Sequence, residues 1–400
     1  MKKKLVILTA LIVAAGLFIP HATDILGKDT SAPRLGVWVT VFTPEKVLYS
    51  KANADRLIDT CKKTGITDIY LQVYRSDKAY YDSDLTDRSA YEDILSEAGE
   101  DPINHLLRKA KANNIKVHAW INVLSIAQNT GANVLSKMGD AALTLDQYGR
   151  TSMQKGNKDA LDKYFIRENQ LFLEPGSPAV REYLAGIAGE IARKYPGFSG
   201  MHLDYIRYPA VVPFTPGSRF SSHGITYGYN DINLEAFKNS SGLDARKMDG
   251  ARESFRAWDD WRRDRVTLLV KEVSGCVRAA APGWKISCTI VPSIERTYLV
   301  TLQDWTKWLG EGYVDYVVAM NYTDDTKLMK MNSRSILMPA ETGKVYIGVG
   351  AYLIKDRPET LKEQLEYLRK LSPGGVVIFS YDEVAASPDL QKFLANRFRS

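Results

Sequence analysis

The residues best suited to chemistry lie in one stretch, Ser199-Gly-Met-His-Leu-Asp-Tyr-Ile-Arg-Tyr-Pro209. A short apolar run, Gly200 to Leu203, leads directly into Asp204. His202, Asp204, Arg207 and Tyr208 fall within a few positions, and Pro209 closes the segment. A strand that ends in an acid, a cation and rings suits the rim of a barrel, where a polar ligand is handled, better than a dry core. The bland alternative is that Asp204 caps the next segment and pairs with Arg207.

Other short runs end in similar residues. The first ends near Trp38 and Thr40, the second in Gln72-Val-Tyr74-Arg75, the third in Trp120 and Asn122 beyond His118. Ser293, Glu295 and Arg296 follow the fifth, and Asn321-Tyr322-Thr-Asp324-Asp325 the sixth. The seventh ends near Tyr352, the eighth in Ser380-Tyr381-Asp382-Glu383. This set is rich in carboxylates, rings, amides and Arg, and offers no obvious nucleophilic Cys or Ser. Rings stack on sugar faces; amides and guanidinium groups bond hydroxyls or carboxylates. Two carboxyl groups, one protonated and one ionised, then suffice to cut a glycosidic bond.

Asp204 is the candidate for the ionised group, because Arg207 and His202 would favour its charge. Glu295 and Asp324 are the rival acids, although Glu295-Arg296 reads equally well as a surface pair. Asp325 and Asp382 read as solvated loop charges. The expected substrate-binding set is Trp38, Gln72, Tyr74, Arg75, Trp120, Asn122, His202, Arg207, Tyr208, Asn321, Tyr322 and Tyr381. Trp38 and Trp120 would serve equally well as barrel filling. The five histidines, at 21, 105, 118, 202 and 223, show no metal-ligand spacing, and nothing calls for a cofactor.

The elements that must position these residues follow one rhythm. β-rich runs at Leu35–Val41, Asp68–Val73, Lys116–Ile121, Gly200–Leu203, Lys285–Val291, Val314–Met320, Val345–Val349 and Gly375–Phe379 alternate with helical patterns. The helices are expected at Asn53–Thr64, Ile103–Asn113, Pro178–Lys194, Ala251–Ala281, Leu302–Leu309 and Pro358–Lys370. Strands alternating with helices predict parallel pairing with right-handed crossovers, and eight such units close into an α/β fold of the (β/α)8 TIM-barrel type. An open doubly wound sheet is disfavoured, because no Gly-rich phosphate loop follows the first strand. Ser177-Pro178 and Arg357-Pro358 read as helix starts, and Gly65 as a helix stop. Long connections, from about Val123 to Pro175 and from about Pro209 to Gly250, follow the third and fourth strands and would wall a groove.

Composition bounds the rest. The chain has 400 residues, 45% hydrophobic and 25% charged, with 22 Tyr. One barrel over residues 33–400 accounts for it. Residues 1–28 read as a secretory signal or an uncleaved N-terminal anchor. Lys2, Lys3 and Lys4 precede an apolar run from Leu5 to Ile19, and Pro20 breaks it. The run falls short of the roughly 20 residues of a comfortable membrane span. Export to the periplasm, envelope or medium is the expectation, with a membrane tether as its variant. That segment holds four Lys against Asp24, so the net charge of +6 drops by 3 to +3 without it. Such a mild balance does not point to nucleic acid. Three widely spaced cysteines, Cys61, Cys276 and Cys288, do not make a disulfide framework and are expected to be buried.

At these same residues the chain resembles the bacterial glycosyl-hydrolase-like family 10 proteins. The matching segments are Arg34-Leu-Gly-Val-Trp-Val-Thr40, Asp68-Ile-Tyr-Leu-Gln-Val-Tyr74 with Ala79-Tyr-Tyr81, and Lys116-Val-His-Ala-Trp-Ile-Asn122. They continue through Leu173-Glu-Pro-Gly-Ser-Pro178 with Val180-Arg181, the Gly200–Pro209 stretch, and Gln303-Asp-Trp305 to Met320-Asn-Tyr322. The resemblance implies an exported TIM-barrel hydrolase of bacterial cell-wall glycans, including peptidoglycan strands stripped of stem peptides. It also implies that Asp204 occupies the motif acid. Relatives often carry two consecutive acids there, whereas Tyr205 follows Asp204 in this chain. They also often carry an Arg-Gly-Asp-like step where Arg75-Ser-Asp-Lys78 stands here.

The leading expectation is therefore a glycoside hydrolase acting on an extracellular polysaccharide. A glycan-binding barrel without turnover is the alternative from another class. An exported barrel enzyme of other chemistry, such as a deacetylase or lyase, is the third, though the metal triad a deacetylase needs is not evident.

Overall fold

In each of eight parallel strands, side chains alternate between a ring-filled barrel centre and an apolar outer layer. The computed structural model describes residues 33–153, 166–212, 224–248 and 250–399. The strands are β1 (Arg34–Val39), β2 (Asp68–Arg75), β3 (Lys116–Asn122), β4 (Gly200–Asp204), β5 (Lys285–Ile290), β6 (Tyr316–Met320), β7 (Val345–Gly350) and β8 (Gly375–Phe379). Each pairs in parallel with the next, and β8 pairs back onto β1, which closes the barrel. The expected (β/α)8 architecture is thus the one observed.

A crossover helix follows each strand: α1 (Lys51–Thr64), α2 (Pro102–Ala112), α3 (Pro178–Lys194), α4 (Arg252–Ala280), α5 (Trp305–Gly310), α6 (Thr326–Leu337), α7 (Pro358–Leu371) and α8 (Pro388–Arg397). Local chemistry sets their ends. Ser50 accepts from the Asn53 amide at the start of α1, and Gly65 ends it at φ 78°, where a side chain would be strained. The Ser177 side chain accepts from Val180, with Pro178 in the first turn of α3. α5 starts three residues later than expected, because Asp304 is its cap and accepts from the Lys307 amide. The periodicity also passed over the helices Ser89–Ala98 and Ile294–Leu299, as well as α6 and α8.

Outward-facing Val37, Val39, Ile69 and Leu71 pack with Leu57, Ile103, Leu106, Ile187 and Ile191 in the outer layer. Inward-facing Trp38, Tyr70, Trp120, Tyr316, Val318, Tyr346 and Val377 fill the barrel. The fit is close: a Cβ on Gly348 would stand 2.8 Å from the Trp38 ring. The N-terminal end of the barrel is closed by polar groups. Arg34 pairs with Asp68, whose Oδ1 also accepts from His118 Nε2 at 3.0 Å. Above them the Tyr70 and Tyr316 hydroxyls meet at 3.1 Å, and Tyr316 stacks on Tyr346 at 4.4 Å between centroids.

The two long connections carry structure of their own. Ser125–Ala127 pairs with Leu171–Phe172, and Ile166–Arg167 from the first connection pairs with Val211–Val212 from the second. A helix, Asp231–Ser241, occupies part of what reads as loop in the sequence, capped by Asn230. Pro213, Pro216 and Gly217 of the second connection, like residues 1–28 with their expected signal or anchor, lie outside the described residues. Cys61 and Cys288 are buried, but Cys276 is exposed on α4, contrary to expectation. No helix among the described residues is long and apolar enough to cross a membrane.

Candidate active site

β4 delivers Asp204 to the C-terminal mouth of the barrel, at the base of a cavity of about 180 Å³. Its walls combine rings, amides, guanidinium groups and one carboxyl. Of the residues expected from the sequence, Trp38, Gln72, Arg75, Trp120, Asn122, Asp204, Arg207 and Tyr322 line it. Sequence reasoning missed Phe42, Tyr205, Thr289, Met320 and Phe379. Thr289 was legible in principle, since it lies two residues beyond Ser287 on β5 and shares its inward parity.

The Asp204 carboxyl is 6% exposed and held on both oxygens. Oδ1 accepts from Thr289 Oγ1 at 2.6 Å and from the Tyr205 amide at 2.8 Å. Oδ2 accepts from Trp120 Nε1 at 3.2 Å. Gln303 fixes the strand behind it by donating to the Thr289 carbonyl at 2.9 Å. Burial pushes the Asp204 pKa above the ordinary 3.8, against the pull of those hydrogen bonds and of Arg207. The site thus favours the protonated form more than the sequence suggested.

The two groups expected to keep Asp204 charged are engaged elsewhere. His202 is fully buried inside the barrel; its Nε2 accepts from Trp38 Nε1 at 3.1 Å and its Nδ1 meets Ser287 Oγ at 2.8 Å. Burial drives its pKa well below 6.5, so it is neutral and supplies no charge. Arg207 does reach the cavity, but its fork grips Glu168 (Nη1–Oε1 2.6 Å, Nη2–Oε2 3.1 Å). Its Nη1 also donates to the Tyr208 carbonyl at 3.1 Å.

Opposite chemistry meets at the cavity wall. Gln72 donates to Asn122 at 3.1 Å, leaving a band of amides beside Asp204. Arg75 stacks its guanidinium 4.3 Å from the Phe42 ring centre and makes no ion pair among the described residues. Phe379 touches Trp38 (6.0 Å), Trp120 (6.4 Å) and Tyr322 (5.6 Å), a continuous aromatic side.

Several expected residues are placed elsewhere. Tyr74 would face inward by simple alternation from Tyr70 and Gln72. A register shift between Gln72 and Tyr74 instead turns it into the outer layer, where its hydroxyl donates to Asp77 at 2.7 Å. The Tyr208 hydroxyl donates to buried Glu174 at 2.6 Å. Asn321 is spent on the Met329 carbonyl and Ser333 of α6. Tyr381 is buried in the outer layer. Neither rival acid lines the cavity. Glu295 is exposed in the first turn of Ile294–Leu299. Asp324 is exposed and paired with Arg357 at 2.7 Å. Among the described residues lining the cavity, Asp204 is the one carboxyl, and no group of three or more His, Cys, Asp or Glu is placed to hold a metal ion.

Comparison with known proteins agrees with the barrel fold. The chain is 23% identical over 378 residues to the glycosyl hydrolase DigH of Escherichia coli strain K12, covering 84% of this chain and 76% of DigH. It is 24% identical over 285 residues to the glycosyl hydrolase YngK of Bacillus subtilis strain 168, but spans only 48% of that protein. The glycoside hydrolase domain of PgaB (BpsB) from Bordetella bronchiseptica shares the fold, with a TM-score of 0.62 at 15% identity over 91% of this chain and 98% of that domain. The family model described as glycosyl hydrolase-like 10 matches residues 34–366. The inward-facing Trp, amide and Asp residues of β1 to β4 thus lie within a matched region that spans most of the barrel, and this chain belongs to the glycosyl hydrolase-like 10 family of glycoside hydrolases.

Proposed function

We propose that this glycoside hydrolase cuts an extracellular polysaccharide whose sugars carry carboxylates, with peptidoglycan strands stripped of their stem peptides as its substrate. The observation that carries the reading is one cavity holding a buried carboxyl, Asp204, together with two guanidinium groups, Arg75 and Arg207. Arg75 has no acidic partner among the described residues, so it is available to an anionic substrate group. Arginine suits a carboxylate because its donors form a planar fork. The lactyl groups of stem-free peptidoglycan strands are such carboxylates. The rings and the Gln72–Asn122 amides supply what a sugar face and its hydroxyls need.

Asp204 is the proton donor in this reading. Burial favours its neutral form, and it protonates the departing glycosidic oxygen as the bond to the sugar breaks. Its proposed partner is Glu168, held at the cavity edge by Arg207; water supplies the oxygen that bonds to the freed sugar carbon, and the water's proton passes to a carboxylate of the pair. Glu168 takes this role because Arg207, which lines the cavity, holds it at the edge, whereas Glu295 and Asp324 are exposed and Asp324 is paired with Arg357. The basic and then apolar segment from Lys2 to Ile19 supports export, either released or tethered, to where such strands occur.

The test is turnover. Protein lacking residues 1–28 is incubated with denuded peptidoglycan strands and with neutral polysaccharides, beside Asp204→Asn and Arg75→Ala. The reading expects fragments from the denuded strands, loss of about 10²- to 10⁴-fold in Asp204→Asn, and a raised KM in Arg75→Ala. Equal activity of Asp204→Asn and wild type would remove Asp204 from the reaction. Binding without cleavage by wild type would favour the glycan-binding alternative.

A further inference from the structure

The cavity at Asp204 is small for the substrate proposed. At about 180 Å³ it falls below the roughly 300–1,000 Å³ of ordinary ligand pockets. A polysaccharide must therefore extend outside it, and the surface it crosses should carry the same kinds of groups. One exposed ring meets that requirement. Tyr352 lies in the turn Ala351–Ile354 after β7 and does not line the cavity. It is 42% exposed. Its ring is set nearly perpendicular to Tyr322 (centroids 6.2 Å apart, 87°) and to Phe379 (5.8 Å, 78°). Both of those residues line the cavity.

The rings form a track. Asp204 bonds Trp120, Trp120 meets Phe379, and Phe379 meets Tyr352. Each member is fixed by its neighbours, so the outermost ring is presented rather than loose. Two edge contacts hold it while part of its surface stays open to solvent. Aromatic groups so held lose little conformational freedom on binding, which makes them effective platforms for flat apolar faces.

We propose that Tyr352 is an outer sugar subsite, which stacks a ring of the glycan chain beyond the sugar held at Asp204. This rests on the reading of the chain as a polysaccharide hydrolase. It adds that the enzyme selects long chains over short ones, through binding energy collected outside the cavity.

The experiment measures binding in the Asp204→Asn background, so that no probe is consumed. The probes are β-1,4-linked N-acetylglucosamine oligomers from dimer to hexamer, and denuded peptidoglycan strands, read by calorimetry. Affinity is expected to rise with length. Tyr352→Ala should weaken the hexamer and the strands about tenfold while leaving the dimer unchanged. Tyr352→Phe should bind as the parent does, which separates loss of the ring from loss of the fold. In the active enzyme, Tyr352→Ala should raise KM on long strands with kcat unchanged. Equal hexamer and strand affinities in the parent and Tyr352→Ala overturn the subsite and leave the hydrolase reading intact. If no glycan binds the parent and none is cut by wild type, the reading beneath it falls as well.

Discussion

Arg207 and Glu168 face one another fork to fork, at 2.6 and 3.1 Å, and so tie the connection after β3 to the one after β4 at the cavity edge. Neither residue is reachable from the other by local sequence. The pair fixes the orientation of a guanidinium that lines the cavity and holds at its edge the carboxylate proposed as the partner of Asp204. Glu168→Gln is expected to lower kcat/KM on denuded strands by roughly 10²-fold or more. Glu295→Gln and Asp324→Asn should stay within about twofold of wild type, as exposed charges usually do. Steady-state rates of the three variants, measured side by side, check the assignment; a larger loss in Glu295→Gln than in Glu168→Gln would reverse it.

The direction of the Asp204 shift fixes the pH response. Its pKa is raised in the folded protein, mainly by burial. As a proton donor it works below that pKa, and activity is lost as pH rises through it. The alkaline limb of the kcat/KM profile therefore belongs to Asp204 and should lie above the ordinary carboxyl value of 3.8. Residual activity in Asp204→Asn should lack that limb. A Thr289→Val variant, which removes the 2.6 Å hydrogen bond to Oδ1, should move the limb further up.

His202 is predicted to matter for the fold more than for proton transfer. It bridges Trp38 and Ser287 across the barrel centre as a neutral ring. His202→Ala leaves the Trp38 indole N–H and the Ser287 hydroxyl without these partners and opens a void. It should destabilise by about 2–4 kcal/mol. The acidic limb of the pH–rate profile should be unmoved. Thermal unfolding and the pH–rate profile of the variant test both halves of the statement.

Glu174 carries a stability prediction of the opposite kind. It is fully buried, bonded by Tyr208 and by the Gly176 amide, and burial raises its pKa. A carboxyl whose folded pKa lies above its unfolded value contributes stability below the unfolded value, and loses it as pH rises through the folded one. Glu174→Gln keeps both acceptor bonds and has no charge to bury. Its melting temperature should match wild type near about pH 4 and exceed it increasingly toward about pH 8. A constant difference across that range would show that Glu174 does not titrate as its burial implies.

Much of the barrel was legible because its signals are local. Short apolar runs mark the strands, and residues such as Ser177 and Gly65 mark helix ends. Trp38, Gln72, Trp120, Asn122 and Asp204 were expected at strand ends from the sequence, and they line the cavity there. What failed was whatever depends on partners distant in sequence. Tyr74 lost its inward place to a register shift against β3, which no pattern within β2 reveals. Tyr208 and Asn321 are polar residues at strand ends like the others, but Glu174 and α6 claim them. The raised Asp204 pKa was not legible, because burial sets its direction and His202, its neighbour in sequence, is a neutral ring held by Trp38 and Ser287 in space.

The closed floor of the barrel decides how a polymer can use this enzyme. Arg34, Asp68 and His118 plug one end, and the stacked tyrosines above them leave no passage. The cavity therefore has no outlet through the barrel bore. A glycan of the proposed kind reaches Asp204 from the C-terminal face, so the loops around that mouth, and not the barrel interior, set the path a strand can take.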